Sequence, residues 1–201
     1  MLIGLLSLLG YLIGGIPFAV PVVRLLSGQD VRSTGSGNVG ARNSLRVAGA
    51  WAGVLVLVLD ALKAIIPMLV ADSMLAEQWP VGLVGVMAVL GHCYSPYLLL
   101  RSLKTPWQHW RHWLLSVGGQ GLATGLGVIS MLTPILALPL LAVGAFFALG
   151  LKRSSWAALV MIGAAPLATY LLGYVHFVWL SIAACAIIIL SKLWQDYPFK
   201  E

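Results

Sequence analysis

Charge is what this sequence has least of: of 201 residues, 12 are Lys or Arg and 6 are Asp or Glu, 9% in all. So little polar surface cannot cover a soluble core, which excludes a water-soluble globular domain. Cysteine is nearly absent too. Cys93 and Cys185 lie in or beside apolar runs with no close spacing, so neither a disulfide framework nor a thiolate metal site is indicated. Residues 1–20 lack a basic leading region and a small-residue cleavage site, and read as a retained helix. Repeats, linkers and low-complexity stretches are missing, which leaves a single domain over 1–201. The net charge of +6 does not point to nucleic acid, because the basic residues are scattered over short loops.

What is present is hydrophobic sequence, 60% of residues with a mean hydropathy of +0.97. The fold expected is an all-α, polytopic membrane bundle. A helix needs about 20 apolar residues to cross hydrocarbon. Such runs are Leu2 to Leu26, Val47 to Ala71, Val81 to Leu100, Ser155 to Leu172 and Tyr174 to Ser191, with Gly173 as a tight turn. Leu122 to Leu151 is long for one crossing, and Thr133-Pro134 marks a break into two short helices, for a total of about seven, some short or broken. The loop after the first run carries Arg24, Arg32, Arg42 and Arg46, and that after the third carries Arg101, Lys104 and Arg111. The positive-inside bias makes these loops cytoplasmic, with the amino terminus outside and the carboxyl terminus inside.

The most informative stretch is Ser33-Thr-Gly-Ser-Gly-Asn-Val-Gly-Ala-Arg-Asn-Ser-Leu-Arg46. Gly35, Gly37 and Gly40 let backbone N–H groups curl toward one point, Ser36, Asn38 and Asn43 offer neutral donors, and Arg42 and Arg46 offer charged ones. The combination suits a phosphate. The plainer alternative is that Ser36, Asn38 and Asn43 cap a helix beginning near Asn43 and satisfy turn backbone. Arg46 has a planar fork suited to two phosphate oxygens, or it snorkels to lipid, the role that fits Arg42 better. A second cluster, Gly118-Gly119-Gln120-Gly121, and His92 behind Gly91 close later apolar runs.

Other candidates carry two readings each. His92 is a substrate donor, a loop orienter or a hydrogen-bonded structural residue. Cys93 as its paired nucleophile is disfavoured, since adjacent helical residues point apart. Asp60 and Lys63, three apart inside an apolar run, share a helix face as a structural ion pair or as support for a site. Trp107, Trp110 and Trp113 fit an interfacial belt, and His109 with His112 lacks a third metal ligand. No metal site is inferred.

Taken in chain order, the motifs carry a resemblance. Gly35-Ser-Gly-Asn-Val-Gly-Ala-Arg-Asn43 with Arg46, after Gly14-Gly15-Ile16-Pro17-Phe18, resembles the first signature of the bacterial acyl-phosphate:glycerol-3-phosphate acyltransferases, the PlsY-type family. Asp60-Ala-Leu-Lys63, Gly91-His92 with Pro96, and Gly118-Gly-Gln-Gly-Leu-Ala-Thr124 resemble its later signatures in the right order. The similarity is densest over 10–70, moderate over 80–130 and weak beyond.

The resemblance implies a multi-pass enzyme of the bacterial plasma (inner) membrane with its site at the cytoplasmic face. It would move a fatty acyl group from acyl phosphate to the 1-hydroxyl of sn-glycerol 3-phosphate, giving lysophosphatidic acid and phosphate in phospholipid synthesis. Both substrates and membrane lipid are its partners; no cofactor, metal, nucleic acid or obligate protein partner is implied. It assigns Ser36, Arg46, His92 and Gln120 to catalysis, Gly35, Gly37, Asn38, Gly40, Asn43, Gly118, Gly119, Gly121 and Thr124 to substrate or phosphate binding, and Asp60 with Lys63 to support. Asp30, Asp60 and Asp72 fall in a loop, a span and the opposite face, so no Ser-His-Asp triad assembles and direct transfer is expected. Departures from the family are Gln120 where Lys is usual, a longer stretch between His92 and Gly118, and no Asn-bearing match in Ser191-Lys-Leu-Trp-Gln-Asp196. Two other readings stand beside it: a relative without catalysis that binds lipid or phosphate, and a small transporter, for which no internal repeat is visible.

Overall fold

Pro17 has no N–H to donate, and its ring disfavours helix at the residue before it, so the first apolar run cannot continue through it unbroken. In the computed structural model of the chain, which describes residues 1–102, 118–145 and 154–196, this run is two helices, α1 (Leu2–Gly14) and α2 (Ala19–Ser27), where the sequence suggested one. Next come α3 (Ala41–Met74), α4 (Gln78–Cys93) and α5 (Pro96–Ser102). The remaining helices are α6 (Leu122–Leu132), α7 (Pro134–Ala145), α8 (Ser154–Leu171) and α9 (Val175–Asp196). The described residues contain no strand.

Among the described residues, four apolar helical stretches are long enough to cross a bilayer: Leu2–Ser27 with 26 residues, Ala41–Met74 with 34, Gln78–Leu100 with 23 and Val175–Leu193 with 19. Leu122–Leu132 and Pro134–Val143 are shorter. The break between them falls at Thr133, φ −143° and ψ 71°, just before Pro134. With α1 joined to α2 and α4 to α5, the described residues form seven apolar helical segments, an all-α membrane architecture. Gly173, at φ 82°, makes the turn between α8 and α9. The side chains that point away from the bundle are those lipid accepts, such as Trp51 at 83% and Trp179 at 77% exposure.

Close approach of backbones builds the seam between α1 and α4. Gly14 lies against Ala88, and Gly91 against the Tyr11 carbonyl, with no room for a Cβ at either place. The main core joins α1, α3, α4, α6 and α9 through Leu6, Met68, Val84, Val89, Val128 and Ile188. A second cluster, including Val23, Val31, Val39, Ala52 and Val56, fastens α2 and the loop after it onto α3.

α3 is broken near its start, which the apolar pattern does not reveal. Gly49 sits at φ 84°, ψ −178°, a region open to glycine and strained for other residues. A Cβ on Gly53 would lie 2.7 Å from Leu45 Cβ and 3.3 Å from the Ala41 carbonyl oxygen, so residues 41–48 double back along the span that follows.

Candidate active site

The loop between α2 and α3 is shaped from within. Asp30 accepts the Arg32 N–H at 3.0 Å and its Nε–H at 2.8 Å, and the two side chains form an ion pair. The hydrogen bond from Arg32 to Asp30 raises the guanidinium pKa, holding its charge. Gly35 and Gly37 take φ of 68° and 72°, and the Gly37 N–H reaches the Thr34 carbonyl at 3.2 Å. Asn43 clamps the whole loop: its Nδ2 donates to the carbonyls of Val31 and Thr34, each at 2.9 Å, and its Oδ1 accepts the Ser36 N–H at 2.9 Å. Both amide hydrogens are therefore committed to loop backbone, so Asn43 clamps the loop that carries Ser36. Ser36 is exposed, and Asn38 Oδ1 is buried without a hydrogen-bond partner among the described residues. Arg42 and Arg46 project outward from the doubled-back segment while Asn43 and Ser44 are buried on its other side.

The 118–121 turn meets this loop. The Gly119 N–H donates to the His92 carbonyl at 3.1 Å. A Cβ on Gly119 would collide with the His92 imidazole and approach the Val39 carbonyl oxygen at 2.9 Å. Gly118 lies equally tight on the carbonyls of His92 and Cys93. Gly121, at φ 81°, starts α6, and Thr124 in its first turn is fully buried with Oγ1 unpartnered among the described residues. Gln120 is half-buried between these glycines. From the last helix, Ser191 Oγ donates to the Gly119 carbonyl at 3.2 Å. Four stretches far apart in sequence thus close on one end of the bundle.

Below them lies a buried charged group. Lys63 Nζ is 2.9 Å from Asp60 Oδ1 and donates to the Ile16 carbonyl at 3.1 Å; His92 Nδ1 is 3.7 Å from the same Asp60 oxygen. All three side chains are at most 5% exposed. Breaking the first apolar run takes the carbonyls of Gly15 and Ile16 out of the helical ladder; Ile16 keeps the Phe18 N–H at 3.1 Å, and side chains supply the other donors. Lys63 serves Ile16, and Ser95 Oγ serves Gly15 at 2.6 Å. The Asp60–Lys63 ion pair expected from spacing is present, and it is tied to the chain break.

Sequence reasoning missed Ser95 and Ser191. A lone serine in an apolar run gives no signal, and in the final helix the contact comes from Ser191, which opens a segment with no Asn-bearing motif. The Trp and His residues of 104–113 lie outside the described residues, as do Lys152 and Arg153.

A family profile described as glycerol-3-phosphate acyltransferase matches residues 4–196. A glycerol-3-phosphate acyltransferase of Anaeromyxobacter sp. (strain K) is 47% identical over 156 residues, 75% of this chain and 69% of that one. One of Coxiella burnetii (strain CbuG_Q212) is 35% identical over 190 residues, 94% of this chain and 90% of its own. The crystal structure of PlsY, an integral membrane glycerol 3-phosphate acyltransferase, in its glycerol 3-phosphate form superimposes with a TM-score of 0.77 at 33% identity, covering 94% of this chain and 87% of that one. Its lysophosphatidic acid form gives the same TM-score at 31% identity, covering 95% and 88%. With the motifs in order, the fold shared and the match running nearly end to end, this chain belongs to the glycerol-3-phosphate acyltransferase family.

Proposed function

We propose that this chain transfers a fatty acyl group from acyl phosphate to the 1-hydroxyl of sn-glycerol 3-phosphate, releasing lysophosphatidic acid and inorganic phosphate. The observation that carries the reading is the contact of the 31–40 loop with the 118–121 turn at Val39, Gly119 and His92. Two backbone-rich turns with arginines beside them suit a pair of phosphorylated substrates. The substrate hydroxyl oxygen attacks the acyl carbonyl carbon, the carbon–oxygen bond to phosphate breaks, and phosphate leaves with the electron pair. A phosphate oxygen of the substrates takes the hydroxyl proton. Acyl phosphate is already activated, so positioning and charge neutralisation are the protein's share of the work.

In this reading Arg46, the Ser36 hydroxyl, Asn38 and the N–H groups about Gly35, Gly37 and Gly40 hold phosphate, with Asn43 keeping their loop in shape. The 118–121 turn and Thr124 form the facing wall, and Gln120 offers an amide where the family has an ammonium. His92 orients the turn, and Asp60 with Lys63 supports both. The site end of the bundle faces the cytoplasm of a bacterial inner membrane, where glycerol 3-phosphate is soluble and the acyl chain stays in lipid. A second reading, a relative that binds these ligands without turnover, is favoured by Gln120, because neutral hydrogen bonds are about half as strong as charge-assisted ones.

The test is phosphate release from palmitoyl phosphate by the purified protein with and without glycerol 3-phosphate. Release that needs both substrates and vanishes in Arg46→Ala supports the enzyme. Release absent from the parent chain but gained in Gln120→Lys supports the binding-only relative.

A further inference from the structure

The end of α9 meets the glycine turn along one stripe. Ser181, Ala184, Ile188 and Ser191 are buried at intervals of three and four, the spacing of a single helix face. Two of them touch the turn: a Cβ on Gly121 would lie 3.1 Å from Ile188 Cγ1, and Ser191 Oγ donates to the Gly119 carbonyl at 3.2 Å. Lys192 follows Ile188 by four residues and so continues this face. Its burial agrees, because Lys192 is half-buried whereas Ile189, Leu190 and Leu193 around it are 39%, 50% and 62% exposed. A lysine that only snorkels to lipid headgroups belongs on the side of Ile189 and Leu193. Lys192 is on the bundle side. Helical side chains lean toward the helix N-terminus, which carries the Lys192 stem back over Ile188, the residue under Gly121. The apolar span ends at Leu193, so this ammonium stands at the membrane boundary.

The turn lacks what Lys192 has. Residues 118–121 hold no charge, the Gly119 N–H is committed to the His92 carbonyl, and the Gln120 side chain offers an amide. Lys63 is held by Asp60 and the Ile16 carbonyl, and Arg42 and Arg46 belong to the segment that follows the facing loop. We propose that Lys192 is a phosphate-binding residue: its ammonium, on a flexible four-carbon stem, neutralises the phosphate of glycerol 3-phosphate seated against the 118–121 turn. Gln120 hydrogen-bonds that phosphate and Lys192 supplies the charge, one unit drawn from two separate elements. The proposal rests on the acyltransferase reading above.

Steady-state kinetics of the full-length protein, with glycerol 3-phosphate and palmitoyl phosphate varied in turn, tests this. Lys192→Met raises KM for glycerol 3-phosphate by about tenfold or more, the worth of one hydrogen bond to a charged group, while KM for palmitoyl phosphate moves less. Lys192→Arg keeps the charge and most of the affinity. Gln120→Lys lowers KM for glycerol 3-phosphate by a larger factor in the Lys192→Met background than in the parent, because a charge on the turn restores what the first substitution removed. An unchanged KM in Lys192→Met, or equal factors in the two backgrounds, overturns the proposal. Equilibrium binding of radiolabelled glycerol 3-phosphate in detergent gives a readout without catalysis. Weaker binding by Lys192→Met than by the parent supports the site; equal binding, or none by the parent, overturns it. A parent chain that binds glycerol 3-phosphate through Lys192 yet transfers no acyl group refutes the acyltransferase reading while leaving the phosphate site in place.

Discussion

His92 and Gly119 touch twice: the Gly119 N–H donates to the His92 carbonyl at 3.1 Å, and the bare α-carbon of Gly119 leaves the room that the His92 imidazole fills. A methyl at Gly119 would also approach the Val39 carbonyl at 2.9 Å. Backbone oxygen cannot swing aside as a side chain does. Gly119→Ala should separate the two loops and reduce kcat/KM for glycerol 3-phosphate by about a hundredfold, a ~2.7 kcal/mol loss of transition-state stabilisation. Steady-state kinetics with glycerol 3-phosphate varied at fixed palmitoyl phosphate reads this directly; wild-type constants would contradict it.

Lys63→Met leaves the Asp60 carboxylate buried without its ammonium and the Ile16 carbonyl with the Phe18 N–H as its remaining donor. Removing one member of a buried pair costs about 3–5 kcal/mol, whereas removing both is far milder. Lys63→Met should therefore melt well below the parent in detergent, and Asp60→Asn with Lys63→Met should recover part of the loss. A double variant no better than the single one would mean that the Ile16 bond, and not the ion pair, carries the effect.

Asn43 makes three hydrogen bonds to loop backbone, each worth ~1 kcal/mol net. Asn43→Asp keeps the acceptor for Ser36 but loses both donors. It also sets a buried carboxylate against the Val31 and Thr34 carbonyls, so it should raise KM for glycerol 3-phosphate severalfold and lower the melting temperature more than Asn43→Ala, which only loses the three bonds. The paired variants separate a buried charge from simple loss of the bonds.

At Gly49 a side chain meets empty space but not a permitted backbone, with φ at 84°. Such strain costs about 1–3 kcal/mol per residue. Gly49→Ala should favour a straighter start to α3 and carry Arg42 and Arg46 away from the loop. The expected result is lost activity with helix content unchanged by circular dichroism; full activity would show that the doubled-back segment is dispensable.

Much of this was legible from the chain. Composition set the membrane class, Thr133-Pro134 announced the break between α6 and α7, Gly173 announced the last turn, and Asp60 with Lys63 announced a pair by spacing. What was not legible is tertiary in origin. Hydropathy carries no trace of Gly49, since residues on both sides of it are apolar and only its dihedrals differ. The first run was read as a single helix because Gly14-Gly15-Ile16-Pro17 is short against the apolar residues around it. The partners that make the break tolerable, Lys63 and Ser95, sit far along the chain. Asn43 is ambiguous in sequence for a related reason: the same amide can face a ligand or its own loop, and its bonds to Val31 and Thr34 are visible only in three dimensions.

Ser191, in the last described helix, fastens the turn that His92 receives. Because helices enter the bilayer in the order in which the ribosome makes them, this latch is the final piece to arrive. A chain that ends before α9 keeps the 31–40 loop and the 118–121 turn but lacks the hydroxyl that ties the Gly119 carbonyl to the last helix.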